Sequence, residues 1–185
     1  MVLNVAQPDE PELIQLARLG NREAFAALVE KYWDRLYRWL FHLTRNRHAA
    51  EDLAQESFLK AFTGLATFKP PARFQAWLFR IAHNAWVNSQ RVKVRVWQSF
   101  PEDVPAAEQG PAELAMNREA LKELTVAVGR LPSDFRAAFL LRVEQDLSFR
   151  EIAEVLEITE ETARWRVFKA RQKLMEVMEK HLEKE

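Results

Sequence analysis

The sequence has no cysteine, only four glycines among 185 residues, and no net charge, since 27 Lys and Arg balance 27 Asp and Glu. Without cysteine there is no disulfide framework and no thiolate chemistry. Four scattered glycines leave no Gly-rich loop to cradle a phosphate. Long apolar runs are missing as well. Nothing approaches the roughly 18 residues that a membrane span needs, and Asp9, Glu10 and Glu12 interrupt any signal-like stretch at the N-terminus. The expectation is a cytoplasmic protein with no membrane insertion. The histidines His42, His48, His83 and His181 show no metal-ligand spacing. The best catalytic pairing is His48 with Asp52, and a cap or surface contact explains it more simply. No enzyme activity, metal or cofactor is expected.

The neutral total conceals a segregation. Residues 1–95 carry 14 Lys and Arg against 9 Asp and Glu, a net of +5. Residues 96–130 carry a net of −3 and residues 131–185 a net of −2. The N-terminal part is suited to steering toward a polyanion.

The organising stretch runs from Ala49 to Arg95 and reads as two helices joined by a turn-rich loop. The first sets Glu51, Asp52, Gln55 and Glu56 beside apolar Leu53, Phe58, Ala61 and Phe62. The second carries Phe74, Leu78, Ile81, Ala82 and Ala85 at helical spacing, with Arg80, Asn84, Asn88, Arg91 and Arg95 on another side. Between them, Phe68 to Phe74 contains Pro70 and Pro71 and cannot be continuous helix. Such a loop can present Phe68, Lys69, Arg73 or Phe74 to a partner. Upstream, a short helix over about 10–19 precedes a long one over about 22–43, whose apolar stripe reads as core.

After Arg95 the texture changes. Residues 96–111 contain Pro101, Pro105, Gly110 and Pro111 without helical periodicity and read as a flexible acidic linker. Helical pattern resumes in residues 112–182. Ser148-Phe149-Arg150-Glu151 fits a capping box, Thr159 is a candidate N-cap, and Ala163, Val167, Ala170, Leu174 and Val177 form the inner face of the last helix. Two helices, a short turn and a longer third component make a helix-turn-helix pattern. The fold class expected is all-α, with two small helical domains at 8–95 and 112–182.

These motifs carry a family likeness. AEDLAQESFLKAF, FQAWLFRIAHNAWVNSQR, LPSDFRAAFLLRVEQDLSFREIAEVL and TARWRVFKARQKL, in that order around a linker, resemble an extracytoplasmic-function sigma factor of the sigma-70 family. The resemblance implies a promoter-specificity subunit that binds the clamp helices and flap of core RNA polymerase, recognises −10 and −35 promoter DNA and has an anti-sigma factor as a partner. It implies polymerase contacts at Asp52, Gln55, Glu56 and Leu59, and a mainly structural Trp77. It assigns the −10 element to Phe68, Lys69, Arg73, Phe74, Arg80, Asn84, Asn88 and Arg91. By chemistry, Phe68 and Phe74 either offset base unstacking or belong to the core. The −35 element falls to Glu160, Glu161, Arg164, Trp165, Arg166, Lys169 and Arg171. Two departures stand out: Glu157 lies where the family usually has glycine, and Glu161 and Trp165 where it usually has small residues. The acids either repel phosphates or accept from cytosine N4. Alternative readings are an interaction module that occupies polymerase or is itself sequestered without opening promoters, and a plain helix-turn-helix regulator.

Overall fold

The computed structural model describes residues 8–69, 72–96 and 124–182. The expected linker, the renewed helix before residue 124 and the Pro70-Pro71 turn lie outside the described residues, apart from Val96. The described residues are helical and connecting segments, with no strand among them. They comprise α1 (Glu10–Arg18), α2 (Arg22–Thr44), α3 (Arg47–Gly64) followed by a 3-10 turn (Leu65–Thr67), α4 (Phe74–Val96), α5 (124–130), α6 (Ser133–Val143), α7 (Phe149–Leu156) and α8 (Glu160–Leu182).

The first three helix starts are satisfied locally. The side chains of Asp9, Asn21 and Asn46 accept from the N–H groups of Glu12, Ala24 and Ala49 at 2.9, 3.0 and 2.9 Å, closing α1, α2 and α3 at their first exposed donors. Gly20, at φ 90°, makes the reversal between α1 and α2 that a side chain would resist. The stripe predicted on α2 is buried: Leu28, Leu36, Trp39 and Leu40 are fully enclosed, packed mainly against α1 and α3. From α4, Leu78, Phe79 and Ala82 complete this N-terminal module.

In the C-terminal module the capping box forms as expected. The Ser148 hydroxyl accepts from the Glu151 N–H at 3.2 Å, while the Glu151 carboxylate accepts from the Ser148 N–H at 2.8 Å. Thr159 caps α8 through the Thr162 N–H at 3.1 Å. Between α7 and α8, Glu157 takes the left-handed conformation (φ 54°, ψ 47°), which costs a non-glycine residue some backbone strain. Ala153 and Ala163 are buried near this crossing. Val177, expected on the inner face of α8, is 40% exposed, because the stripe leaves α6 and α7 behind as α8 runs on.

The modules also pack directly on each other, which the sequence reading did not anticipate. α2 meets α6, and α4 meets α7. Gln75 and Gln145 are both buried, and the Gln75 amide donates to the Gln145 backbone carbonyl at 3.1 Å and to its Oε1 at 3.2 Å. The Trp39 indole N–H points at the Ala137 carbonyl at 3.5 Å.

Candidate functional site

Three surfaces carry the residues singled out above. On α3, Asp52, Gln55, Glu56 and Leu59 are all exposed, because they lie opposite buried Leu53, Ala54, Phe58 and Ala61. Glu56 pairs with Lys60 at 2.5 Å, one turn on. Leu59 is 68% exposed and its neighbour Phe62 is 41% exposed. Both border an open groove of roughly 900 Å³ between α2 and α3, whose walls include Val29, Trp33, Gln55 and Phe58. Phe62, expected on the apolar side of its helix, meets Phe25 edge-on at 4.9 Å while still facing the groove. Val29, Trp33 and Phe62 thus join this surface, a role hidden by their place in ordinary core-like periodicity.

On the loop and α4, the aromatic assignments need correction. Phe68 and Phe74 are 2% and 1% exposed. Their rings pack against each other at 5.8 Å and against Trp77 at 5.5 and 5.7 Å, with Tyr32 5.5 Å from Phe74. Both anchor the loop in the core, where neither is free to hold an unstacked base. Lys69, Arg80, Asn88 and Arg91 are exposed. Arg73 is exposed too, but it and the half-buried Asn84 are engaged by the other module. Arg73 donates to the Asp146 carbonyl at 3.4 Å and lies 3.5 Å from the Glu151 carboxylate. The Asn84 amide donates to Glu157 Oε1 at 3.0 Å.

Two imidazoles sit in the same seam. Burial is the main force holding the His42 and His83 pKa values below the ordinary range. At His42, Arg136 and Arg38 push the same way and Glu144, 3.6 Å off, opposes. At His83, Arg166 adds to the depression, while Glu157, Asp134 and the Asn84 side chain oppose it. A base whose pKa is lowered in the packed state binds its proton more readily when the modules separate. The packing contribution is therefore intact above the ordinary imidazole value of about 6.5 and declines as pH falls below it. Small-angle scattering of the free protein is expected to show expansion between pH 7.5 and about 5.5; unchanged dimensions would remove the two histidines from this role.

On α8, Glu160, Glu161, Arg164, Trp165 and Arg171 are exposed. Arg164 pairs with Glu160 at 2.8 Å and lays its guanidinium 4.6 Å from the Phe149 ring centre, so the acid draws on the very base expected to read DNA. Trp165 is half exposed beside Phe135. Lys169 donates to Gln172 at 3.0 Å. Arg166 departs from the expected basic strip, because its partly buried side chain ties α8 to Asp134 on α6 at 3.0 Å. Phe168, 62% exposed and one turn beyond Arg164 and Trp165, belongs to the same outward stripe and was missed by the sequence reading; its i, i+3 spacing from Trp165 was the available signal.

Known proteins divide along the same lines. The family model described as sigma-70 region 2 matches residues 28–96, and the one described as sigma-70 region 4 matches residues 121–174. The RNA polymerase sigma-H factor of Pseudomonas aeruginosa is 31% identical over 180 residues, covering 91% of this chain and 93% of that one. The chain belongs to the sigma-70 family. Its relatives place it among the extracytoplasmic-function (ECF) sigma factors. ECF RNA polymerase sigma factor SigW of Bacillus subtilis is 27% identical over 174 residues, covering 87% of this chain and 92% of the relative. SigE of Mycolicibacterium smegmatis is 35% identical over 158 residues, spanning 83% of this chain and 61% of that longer protein.

Solved structures agree on the fold of this sigma factor. The sigma factor RpoE of Bartonella quintana, in complex with the anti-sigma factor NepR, aligns with a TM-score of 0.70 at 24% identity, covering 84% of this chain and 96% of that one. CnrH, in complex with the cytosolic domain of CnrY, aligns at 0.65 with 25% identity, covering 90% and 95%. As an ECF sigma factor the protein is a promoter-specificity subunit of RNA polymerase. The N-terminal module corresponds to region 2 and the C-terminal one to region 4. Among the described residues no helix is long and apolar enough to cross a membrane.

Proposed function

We propose that this sigma factor divides its work among the three surfaces. The α3 face, with Asp52, Gln55, Glu56 and Leu59, docks on core polymerase. Lys69, Arg73, Arg80, Asn84, Asn88 and Arg91 meet the −10 element, and the exposed stripe of α8 meets the −35 element. The protein performs no covalent chemistry and works in the cytoplasm. What carries the reading is the order of the two matched modules, with exposed polar and basic faces falling inside them. Phosphate contacts from Arg80 and Arg91 hold the duplex without reading it. Arg164 reads a guanine edge once it is released from Glu160.

An anti-sigma factor is part of the proposal, supported by the structural neighbour CnrH, whose structure is a complex with the cytosolic domain of CnrY. The test is reconstitution with purified core polymerase on a library of promoter sequences. The expected result is promoter-dependent transcription. Arg80→Ala with Arg91→Ala should reduce it across all sequences, whereas Arg164→Ala should relax one −35 position by about 1–3 kcal/mol. No binding to core enzyme would sink the proposal.

A further inference from the structure

A second groove, of roughly 790 Å³, has Trp86 and Arg91 of α4 on one wall and Ser133 and Arg136 of α6 on the other. Two donors on these walls lack a partner. Trp86 and Arg136 are each 7% exposed, and Trp86 Nε1 and Arg136 Nε are buried without a hydrogen bond among the described residues. Both nitrogens carry a proton and neither can accept one. What each lacks is therefore an acceptor, and a buried donor left without one is costly. The rest of the Arg136 guanidinium is anchored, with Nη1 donating to the Gly129 carbonyl at 2.6 Å.

The surrounding charge says which kind of acceptor fits. Arg45 lays its guanidinium so close to Gly129 that a Cβ there would stand 2.8 Å from its Nη2, which brings a second cation to the Arg136 side. Burial, and after it the nearby Arg45, push the Arg136 pKa down to about 10. Arg91 faces them as an exposed third cation. None of the three forms an ion pair among the described residues. Asp134, the acid on this groove, is committed to Arg166 at 3.0 Å. The cap residue of α6 is Pro132, which supplies no side-chain cap, so the first turn keeps the positive end of its helix dipole without a capping acceptor. We propose that this groove binds the phosphate group of a small molecule of up to nucleotide size. A phosphate brings several acceptor oxygens together with negative charge, and so meets the two orphaned donors and the unpaired guanidinium groups at once. Trp86 Nε1 and Arg136 Nε are covered as the side chains stand, so a slight rotation of each accompanies binding. Leu43 and Val87 complete the walls and suit an uncharged body beside the phosphate. The volume is that of a small-molecule pocket, which favours a free phosphate ester over the backbone of a duplex.

The test follows the Trp86 indole N–H by two-dimensional proton–nitrogen NMR of the full chain, with Trp86→Phe identifying its signal among the six tryptophans. Pyrophosphate and adenosine 5′-diphosphate are titrated at constant ionic strength, with adenosine as the uncharged control. Both phosphates are expected to move the signal saturably, with a dissociation constant below about 1 mM, and adenosine to leave it in place. Arg136→Gln should weaken binding by about tenfold or more, the scale of a lost hydrogen bond to a charged group. Arg45→Asn should weaken it by about two- to fivefold, as for a charge that acts through solvent. This second variant keeps the fold, because asparagine accepts the left-handed conformation of the position (φ 53°) and the change removes a like charge from beside Arg136. It therefore decides the matter if Arg136→Gln does not fold. No saturable shift, an equal shift with adenosine, or unchanged affinity in the variants that fold would overturn the proposal. A shift with a short DNA duplex and none with the two small phosphates would overturn it as well, and would assign the groove to backbone phosphates.

Discussion

Leu59→Asp is expected to lower affinity for core RNA polymerase by about ten- to a hundredfold with the fold intact. Leu59 projects from α3 at 68% exposure, at the edge of a groove whose other rim carries Val29 and Trp33. An exposed apolar cluster rimmed by Asp52, Gln55 and Glu56 is the anatomy of a protein contact. Burying a leucine contributes about 1.5–3 kcal/mol, or one to two decades in affinity, and an acid in its place adds the cost of desolvating a charge. A side chain this exposed contributes within about 0.5 kcal/mol to folding. Titration of labelled protein with core enzyme checks the effect, with Leu59→Met retaining most affinity and thermal melting confirming the fold. Unchanged binding would move the polymerase contact away from α3. Asp52→Lys with Glu56→Lys is expected to weaken the same binding less, since exposed charges are screened by water and salt.

Trp39→Ala is expected to destabilise the protein by about 3–5 kcal/mol, the range for removing a buried tryptophan. Trp39 is fully enclosed, 5.3 Å from Phe79 and 6.5 Å from His83 by ring centres. It joins α2 and α4 within one module and touches α6 of the other through its N–H. Against a typical total of about 5–15 kcal/mol, such a loss leaves little margin. Trp39→Phe keeps most of the volume and gives up only the long 3.5 Å contact to Ala137, so it is expected to cost about 1 kcal/mol or less beyond the volume change. Urea denaturation distinguishes the two. A similar loss in both variants would mean that the contact to the C-terminal module, rather than the packing of the indole, carries the effect.

Much of this architecture can be read along the chain. The 3.6-residue apolar period located the helices, and the caps at Ser148 and Thr159 follow from the local chemistry of single side chains. On α3 the same period separated exposed Asp52, Gln55 and Glu56 from the buried face. The loop aromatics were harder. Phe68 lies outside a helix, where no period assigns a face, and Phe74 sits at the very start of α4 beside the loop, so both were open to either role until their burial was seen. Arg164 and Arg166 differ by two residues and point to different sides of α8, yet only the position of Asp134 on a separate helix decides which one is tied down. The seam was the least legible feature. Gln75 reads as a surface residue, and its partner Gln145 lies 70 positions away, where local periodicity has nothing to say.

The seam has a thermodynamic consequence. If the packed form outnumbers the open one by roughly 100 to 1, any ligand that needs the open form binds that much more weakly to the free chain, a penalty of about 2.7 kcal/mol. A first ligand that selects the open form removes the penalty for the next. Because the α3 face is already exposed in the packed form, core polymerase and promoter DNA would favour each other, by the same factor in both directions, only where each also makes contacts that require the open form. A seam that had to open for both would thus couple the enzyme to its promoter.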